Sequence, residues 1–387
     1  MAMSIPKSFV EAEGMLHDMA MAEVGFTDFG ADDYLPGLRA LLGAIDTDLD
    51  LVGPVRERVF GMILSALVSR LFSQKGWHEN RDCLKTEIRR PLIITGLIRS
   101  GTTPLQKVLA LDPQFQGLEY WLSDTPMVRP PRRKWRMYPT YQNAAANLNA
   151  MLAANPMIGA IHQMAADEAD ECLNIMRQNF ISNMFGSQLD IPTYDKWWMA
   201  QDETAAYNRH RDNLRLIGCQ EQNKRWLLKN PGHILGIEPL LKVYPDACIV
   251  QTHRDPLKAI PSICSLIMMI RKSIVPDADP LRDGPRENKL WSIGLERAMR
   301  AHDAHPENFH DVYMADFVED PIGVIRGIYR RYDLNLEVEV EAAMRNWLDQ
   351  HAAAKPGFHR YKAQDFGLSE DAISKQYAPY IERYHPR

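Results

Sequence analysis

The sequence predicts a three-layer α/β/α protein with a central, mainly parallel sheet and an N-terminal helical segment in front of it. Three observations indicate this fold class. After residue 90, short β-prone runs alternate with helical stretches; before it, helical patterns occur without a strand; and a loop with two glycines joins the first strand-like run to the next helix. Strands that alternate with helices are joined by right-handed crossovers, which make the sheet parallel.

The first 90 residues carry apolar side chains at helical spacing in two series. These are Leu38, Leu42, Ile45 and Leu49, followed by Val59, Ile63, Leu67 and Leu71. We expect residues 1–90 to form a helical segment that packs on a second unit, residues 91–387, in which the functional residues lie.

The second unit contains four strand-like runs. The first is LIIT at 92–95, followed by the loop GLIRSGTT and the helical run PLQKVLAL, whose Pro104 suits the first turn of a helix. The later runs are RWLL at 225–228, CIVQT at 248–252 and DVYM at 311–314, with helical stretches at 234–244 and 291–302.

Composition restricts the possible functions. Of 387 residues, 45% are apolar and 25% charged, which is ordinary for a globular chain. The net charge of −5 and the lack of a dominant basic stretch argue against a general nucleic-acid binder, so any anion site must be local.

The N-terminal residues and the cysteines indicate the cellular compartment in which the protein functions. The five cysteines form no CxxC pair, which predicts neither a zinc site nor a disulfide framework. Acidic residues interrupt the N-terminus where a signal peptide would be apolar, and the longest mostly apolar run, 60–68, is too short to span a bilayer. We expect a cytoplasmic protein without a transmembrane segment.

The glycine-containing loop has the outline of a phosphate-binding loop. Gly96 and Gly101 are separated by four residues, and Thr102 and Thr103 follow them. Backbone N–H groups in such a loop, with the start of the next helix, form an anion cradle without net charge. A nucleoside-triphosphatase loop needs Lys where Thr102 stands, and here the cation is upstream, at Arg99. Taken alone, the segment also fits a plain strand-to-helix turn with hydroxyl caps.

At this loop the chain resembles the sulfotransferases that use 3′-phosphoadenosine 5′-phosphosulfate (PAPS). Their 5′-phosphosulfate loop reads Lys or Arg, Ser or Thr, Gly, Thr, Thr after the first strand. The matching residues here are Arg99, Ser100, Gly101, Thr102 and Thr103. The resemblance implies that the loop binds the 5′ phosphate and that Arg99 lies beside the bridging oxygen.

A second match concerns the 3′ phosphate. In the family, an Arg after a strand and a Ser eight residues later bind this group, and Arg254 and Ser262 have this spacing. A dianionic phosphate suits a guanidinium and a hydroxyl at a helix start. The alternative for Arg254 is a surface ion pair with Asp255. Arg360, in a late segment that resembles a nucleotide-covering loop, is a further candidate contact or else part of a solvated basic turn.

A third match is Lys229, which ends the run RWLLK. Many sulfotransferases have a Lys at this strand end that contacts the transferring sulfuryl group. The animal cytosolic enzymes have their catalytic His two residues later, where this chain has Pro231, and the nearest imidazole is His233. The identity of the general base therefore stays open.

The base must be a His or carboxylate within reach of the acceptor hydroxyl. If residues 160–180 form one helix, Glu168 and His162 lie at the two edges of its apolar face, where desolvation would raise the proton affinity of a carboxylate. We rank the candidates Glu168, His233, His162 and Glu119. The first three have a structural alternative: Glu168, with Glu171, paired with a cation such as Arg177, His162 as a core histidine, and His233 as a helix cap.

The resemblance implies transfer of a sulfuryl group from PAPS to a hydroxyl of a small-molecule, lipid or glycan acceptor, leaving adenosine 3′,5′-bisphosphate. No metal is expected, because the departing group carries fewer charges than a triphosphate, and the sequence has no convincing Walker-B run of apolar residues ending in Asp, in agreement with this. Two alternatives are a nucleotide-dependent phosphotransferase, which would need Mg²⁺ ligands and a loop Lys, and a non-catalytic nucleotide-binding protein. The acceptor and the oligomeric state cannot be read from the sequence.

Overall fold

A computed structural model of the chain describes residues 5–154, 156, 159, 164–351 and 362–386. These residues contain one five-stranded sheet in the order β2-β3-β1-β4-β5, and every neighbouring pair is parallel. Its strands are β1 (Leu92–Gly96), β2 (Phe115–Gly117), β3 (Arg225–Lys229), β4 (Cys248–His253) and β5 (Phe309–Tyr313). The predicted α/β fold with a central parallel sheet is confirmed.

Helices precede the sheet, connect its strands and follow it. The α-helices are α1 (Glu13–Val24), α2 (Leu35–Asp48), α3 (Gly53–Glu79), α4 (Thr102–Leu109), α5 (Tyr120–Asp124), α6 (Pro139–Ala154), α7 (Leu173–Met176), α8 (Asn183–Gln188), α9 (Pro192–Trp198), α10 (Thr204–Gly218), α11 (Ile237–Val243), α12 (Pro256–Ile274), α13 (Pro280–Ala304), α14 (Met314–Glu319), α15 (Pro321–Arg331), α16 (Val338–His351), α17 (Glu370–Gln376) and α18 (Ala378–Tyr384). Short 3₁₀ helices occupy Val10–Ala12, Asp32–Tyr34, Arg81–Lys85, Arg132–Met137, Arg177–Asn179, Pro231–Ile234, Pro306–Asn308 and Ala363–Phe366.

The strands differ from the sequence-based prediction at one edge of the sheet and at the end of the last strand. β2 was not predicted, because a three-residue edge strand carries too few residues for a period-2 pattern. β5 begins two residues earlier than expected, at Phe309, and Met314 already belongs to α14.

Alternate residues of β1 face opposite layers of the molecule. Ile93 packs into a cluster with side chains of α5, α10 and α11, whereas Leu92 and Ile94 pack into a second cluster with α4, α15 and α16. This alternation follows from the two-residue period of a strand, and burial on both faces explains why the run LIIT is apolar throughout.

The N-terminal helices share a third apolar cluster with the rest of the chain. Leu42 of α2 and Leu67 of α3 belong to the same cluster as Ile263 of α12 and Trp291 of α13. The division into a helical segment over residues 1–90 and a second unit over residues 91–387 stays a prediction.

The strand order creates a crevice at the carboxyl ends of the central strands. β1 lies in the middle of the sheet, and the chain continues from it to β2 and β3 on one side and then to β4 and β5 on the other. Ligands of open parallel sheets bind where the strand order reverses in this way. The segments that follow β3, β1 and β4 therefore meet at one site.

Candidate active site

The three sequence motifs lie at the ends of three adjacent strands. Ile94 of β1 is in register with Lys229, the last residue of β3, and Gly96 at the end of β1 is in register with Thr252 of β4. The phosphate-loop segment follows Gly96, and Arg254 follows β4 directly. Parallel pairing thus places Lys229, the loop and Arg254 side by side at the carboxyl ends of the strands.

The backbone of the loop requires its two glycines. Gly96 has φ +135°, and a Cβ there would lie 2.4 Å from the carbonyl oxygen of Thr252. Gly101 has φ +89° and forms the N-cap of α4. Both angles are ones that residues with a side chain rarely adopt, so glycine at these positions allows the tight turn from β1 into α4.

Hydroxyl groups fix the base of the loop to β4. The Ser100 Oγ atom lies 2.6 Å from Oγ1 of Thr252 and also contacts the carbonyl of Leu97. Thr252 Oγ1 in turn donates to the carbonyl of Thr95 at 3.1 Å. Ser100 is buried, so its hydroxyl holds the loop in place at the start of α4, where the sequence predicts an anion cradle of backbone N–H groups.

The predicted 3′-phosphate residues are in contact with the loop. The Arg254 guanidinium donates to the carbonyl oxygen of Arg99 at 2.6 Å, and Arg99 Nε donates to Ser262 Oγ at 3.2 Å. Burial lowers the pKa of Arg254, and the nearby Arg99 charge lowers it further. Two cations held this close create a strongly positive region that favours an anion with several negative charges.

Asp255 has a different role from the ion pair considered above. Its carboxylate accepts the backbone N–H of Leu257 at 2.9 Å and caps α12. Among the described residues, Arg254 forms no salt bridge with Asp255, so the guanidinium is directed toward the loop.

Lys229 is completely buried and is paired with an acidic residue that the sequence analysis treated as structural. Its Nζ atom lies 2.7 Å from Oε1 of Glu171 and 4.0 Å from Oδ1 of Asp170. The backbone N–H of Cys172 also donates to the carbonyl of Lys229 at 3.1 Å. A lysine and a carboxylate therefore stand together at the end of β3, next to the loop.

The prediction of one helix over residues 160–180 is wrong for the part that the structure describes. Residues 164–172 are not helical, and helix is limited to α7 and the 3₁₀ turn after it. The backbone of this segment instead bonds to the chain after β2: Tyr120 donates to the carbonyl of Glu168, and Asp170 donates to that of Leu118. These tertiary hydrogen bonds replace the helical ones, so the apolar arc does not form.

Glu168, ranked first among the candidate general bases, therefore does not lie at the edge of a buried apolar face. Its side chain is 52% exposed, and its carboxylate is 2.8 Å from the ammonium of Lys107 on α4. Desolvation at a buried rim, the argument for its function as a base, does not apply to it. His162 and Arg360 lie outside the described residues.

The other two base candidates, His233 and Glu119, are both bonded to neighbouring side chains. His233 is buried, its Nδ1 lies 2.9 Å from the Tyr207 hydroxyl, and burial lowers its pKa well below the usual value, with a smaller contribution from His210. Glu119 is paired with Arg129 at 3.0 Å, and burial raises its pKa. Both side chains have protein partners, and the structure shows neither of them in contact with Lys229.

A cavity of about 600 Å³ lies beside α4 and the edge strand β2. Lys107, Glu168, Arg129 and Trp135 are among the residues that line it. Trp135 is the aromatic side chain among these four, and the ring of Trp121 packs against it with centroids 5.9 Å apart.

The described residues lack the patterns typical of metal sites and of membrane-spanning helices. Within the described ranges, no three His, Cys, Asp or Glu side chains are grouped so that they could hold a metal ion. No helix in the described part of the chain is both long and apolar enough to cross a bilayer.

Comparison with known proteins gives consistent matches. A model of the sulfotransferase family matches residues 91–338. The chain is similar to the crystal structure of sulfotransferase STF1 from Mycobacterium tuberculosis H37Rv, with 35% identity, a TM-score of 0.87, and coverage of 97% of this chain and 100% of that one. It is also similar to sulfotransferase STF9 from Mycobacterium avium, with 26% identity, a TM-score of 0.89, and coverage of 100% and 99%.

A further relative is named by its substrate. The omega-hydroxy-beta-dihydromenaquinone-9 sulfotransferase Stf3 of Mycobacterium bovis is 22% identical over 302 residues, which are 76% of this chain and 74% of that protein.

Proposed function

Because the chain belongs to the sulfotransferase family, we propose that PAPS is its sulfuryl donor and that one PAPS molecule bridges the loop at residues 99–103 and the pair Arg254 and Ser262. The observation that carries the proposal is the contact between these motifs. Arg99 and Ser262 are 163 positions apart in sequence, yet their side chains are 3.2 Å apart. Two phosphate groups of one nucleotide can therefore be bound by neighbouring groups.

The loop, Arg99 and Lys229 would stabilise the charge that develops during transfer. The new S–O bond forms to the acceptor oxygen while the bond between sulfur and the bridging oxygen breaks, and the electron pair stays on the 5′ phosphate of adenosine 3′,5′-bisphosphate. Donors that are fixed before the reaction stabilise such charge most effectively, and this term is often the largest in catalysis. Ser100 and the two glycines hold these donors in place.

For the general base we propose Glu171 in place of the candidates ranked from sequence. Its carboxylate is 2.7 Å from the ammonium of Lys229, the residue that the family resemblance places beside the sulfuryl group. An acceptor hydroxyl that attacks sulfur next to Lys229 would lie within reach of Glu171, which would take the hydroxyl proton. Its side chain is 21% exposed, so it is not sealed within the core as Lys229 is.

For the acceptor we propose an alcohol carried on an apolar molecule. The name of the Mycobacterium bovis relative specifies a hydroxylated menaquinone derivative as its acceptor. In this chain Trp135 lines the cavity beside α4 and β2, and the buried Trp121 packs behind it. We also propose a cytoplasmic location, since all five cysteines are free thiols, as expected in a reducing compartment.

Radiolabelled PAPS incubated with a panel of hydroxylated lipids, phenols and glycans tests the proposal. We expect labelled product in the presence of a metal chelator, loss of turnover in Lys229→Gln, and a raised KM for PAPS in Arg254→Ala. ATP turnover that depends on Mg²⁺ would instead support the phosphotransferase alternative. Binding of the bisphosphate without transfer to any acceptor in the panel would support the non-catalytic alternative.

A further inference from the structure

The residue before Arg254 belongs to a buried hydrogen-bond network that the proposed reaction does not use. His253, the last residue of β4, is 1% exposed. Its Nε2 lies 2.9 Å from Oδ1 of Asp311 on β5, and its Nδ1 lies 2.9 Å from the hydroxyl of Tyr380 on α18. The C-terminal helix is thereby connected to the strand end that carries Arg254.

The chemistry of these groups fixes the direction of the hydrogen bonds. A carboxylate oxygen accepts, so His253 donates its Nε2–H to Asp311. Burial lowers the pKa of His253, although the hydrogen bond and the charge of Asp311 act in the opposite direction. The ring is therefore neutral near pH 7, and its Nδ1 accepts the proton of the Tyr380 hydroxyl.

The same hydroxyl oxygen faces the backbone N–H of Arg254. Burial raises the pKa of Tyr380 well above its usual value, the neighbouring Tyr384 adds to this effect, and the N–H of Arg254 opposes it. Because the Tyr380 proton points to His253, the lone pairs of its oxygen are available to accept the Arg254 N–H. A chain of hydrogen bonds thus runs from Tyr380 through His253 to Asp311, and His253 directly precedes Arg254 in the backbone.

We propose that Tyr380 and His253 are positioning residues for the 3′-phosphate site, so that the C-terminal helix sets the orientation of Arg254. This inference rests on the proposed donor site. Tyr380 and Asp311 hold His253, the residue before Arg254, while the Arg254 guanidinium donates to the carbonyl of Arg99. Arg254 is then constrained at its backbone and at its guanidinium before the nucleotide binds, which reduces the entropy lost on binding.

The aromatic rings around His253 provide a matched control. Tyr384 stacks on His253 with ring centroids 4.2 Å apart, closer than Tyr380 at 5.7 Å. Its hydroxyl is buried and has no hydrogen-bond partner among the described residues. Removing this hydroxyl therefore changes the packing as little as Tyr380→Phe does, without breaking the hydrogen bond to His253.

Calorimetry on the full-length protein tests the inference with two ligands. Adenosine 3′,5′-bisphosphate reports on both phosphate sites, whereas adenosine 5′-monophosphate lacks the group that Arg254 would bind. We expect Tyr380→Phe to weaken bisphosphate binding about tenfold and monophosphate binding less than about twofold, the size of effect that one hydrogen bond produces. Tyr384→Phe should bind both ligands as the wild type does.

Three outcomes would overturn the inference. Unchanged bisphosphate affinity in Tyr380→Phe would show that the hydroxyl does not orient Arg254, and an equal loss for both ligands would show a general structural role. A further tenfold loss when Tyr380→Phe is added to Arg254→Ala would show that the two residues act independently. A wild-type protein that does not bind the bisphosphate would contradict the donor site itself, which the first three results leave intact.

Discussion

The replacement Glu171→Gln separates the roles of the acidic residues near Lys229. Glutamine keeps the shape of the side chain and removes its charge and its ability to take a proton. If Glu171 is the base, kcat should fall by about 100- to 10,000-fold, the usual contribution of general-base catalysis. The affinity for adenosine 3′,5′-bisphosphate should change little, because the phosphate contacts come from the loop and Arg254.

The same change should lower stability by about 1–3 kcal/mol. Removing one member of a fully buried ion pair costs about 3–5 kcal/mol. The loss here is smaller because the Glu171 side chain is 21% exposed and Asp170 lies 4.0 Å from the Lys229 ammonium. Denaturant unfolding measures this effect separately from catalysis.

Initial rates with labelled PAPS and a saturating acceptor provide the assay, and Glu168→Gln is the comparison variant. Its carboxylate is half exposed and paired with Lys107, so we expect its kcat to stay within about twofold and its stability within about 0.5 kcal/mol of wild type. A large loss of kcat in Glu168→Gln together with near-normal turnover in Glu171→Gln would refute the reasoning and restore the sequence-based ranking.

Three further changes test other parts of the account. Arg254→Ala should weaken bisphosphate binding by about 1.5–3 kcal/mol, the value of a charge-assisted hydrogen bond, and unchanged affinity in calorimetry would remove it from the 3′ site. Gly96→Ala should destabilise the fold by about 1–3 kcal/mol in denaturant unfolding, because its Cβ would meet the Thr252 carbonyl; a neutral effect would contradict the loop geometry. Burial raises the pKa of Glu203 to about 7, so wild-type stability should fall as pH rises from about 4.5 through 7, and Glu203→Gln should lose this dependence. Equal pH profiles of the two proteins would show that Glu203 is not buried as described.

The sequence predicted that the glycine loop and Arg254 lie together, because local rules fix where each of them lies relative to its strand. A strand, a glycine loop and a helix follow one another at 92–109, and Arg254 follows a strand that was recognised from its apolar run. Once the strands are parallel, their carboxyl ends must lie at one edge, so motifs far apart in the chain come together without any knowledge of side-chain packing.

The proposed base, Glu171, could not be found in this way. The pairing of Glu171 with Lys229 depends on how residues 164–172 run beside the chain after β2, and this path is set by backbone hydrogen bonds to residues 118–121. Single-sequence periodicity suggested a helix instead, because tertiary hydrogen bonds leave no pattern in the spacing of apolar residues. The only signal in the sequence was the density of acidic residues between Asp167 and Glu171.

The most direct test of the proposal that one nucleotide bridges the loop and the pair Arg254 and Ser262 is a crystal structure of the protein with adenosine 3′,5′-bisphosphate. We expect the 5′ phosphate to lie on the backbone N–H groups of residues 100–103. We expect the 3′ phosphate to lie about 2.7–3.2 Å from both the Arg254 guanidinium and Ser262 Oγ. A nucleotide whose 3′ phosphate points into solvent, or one bound away from β1, would contradict the proposed donor site.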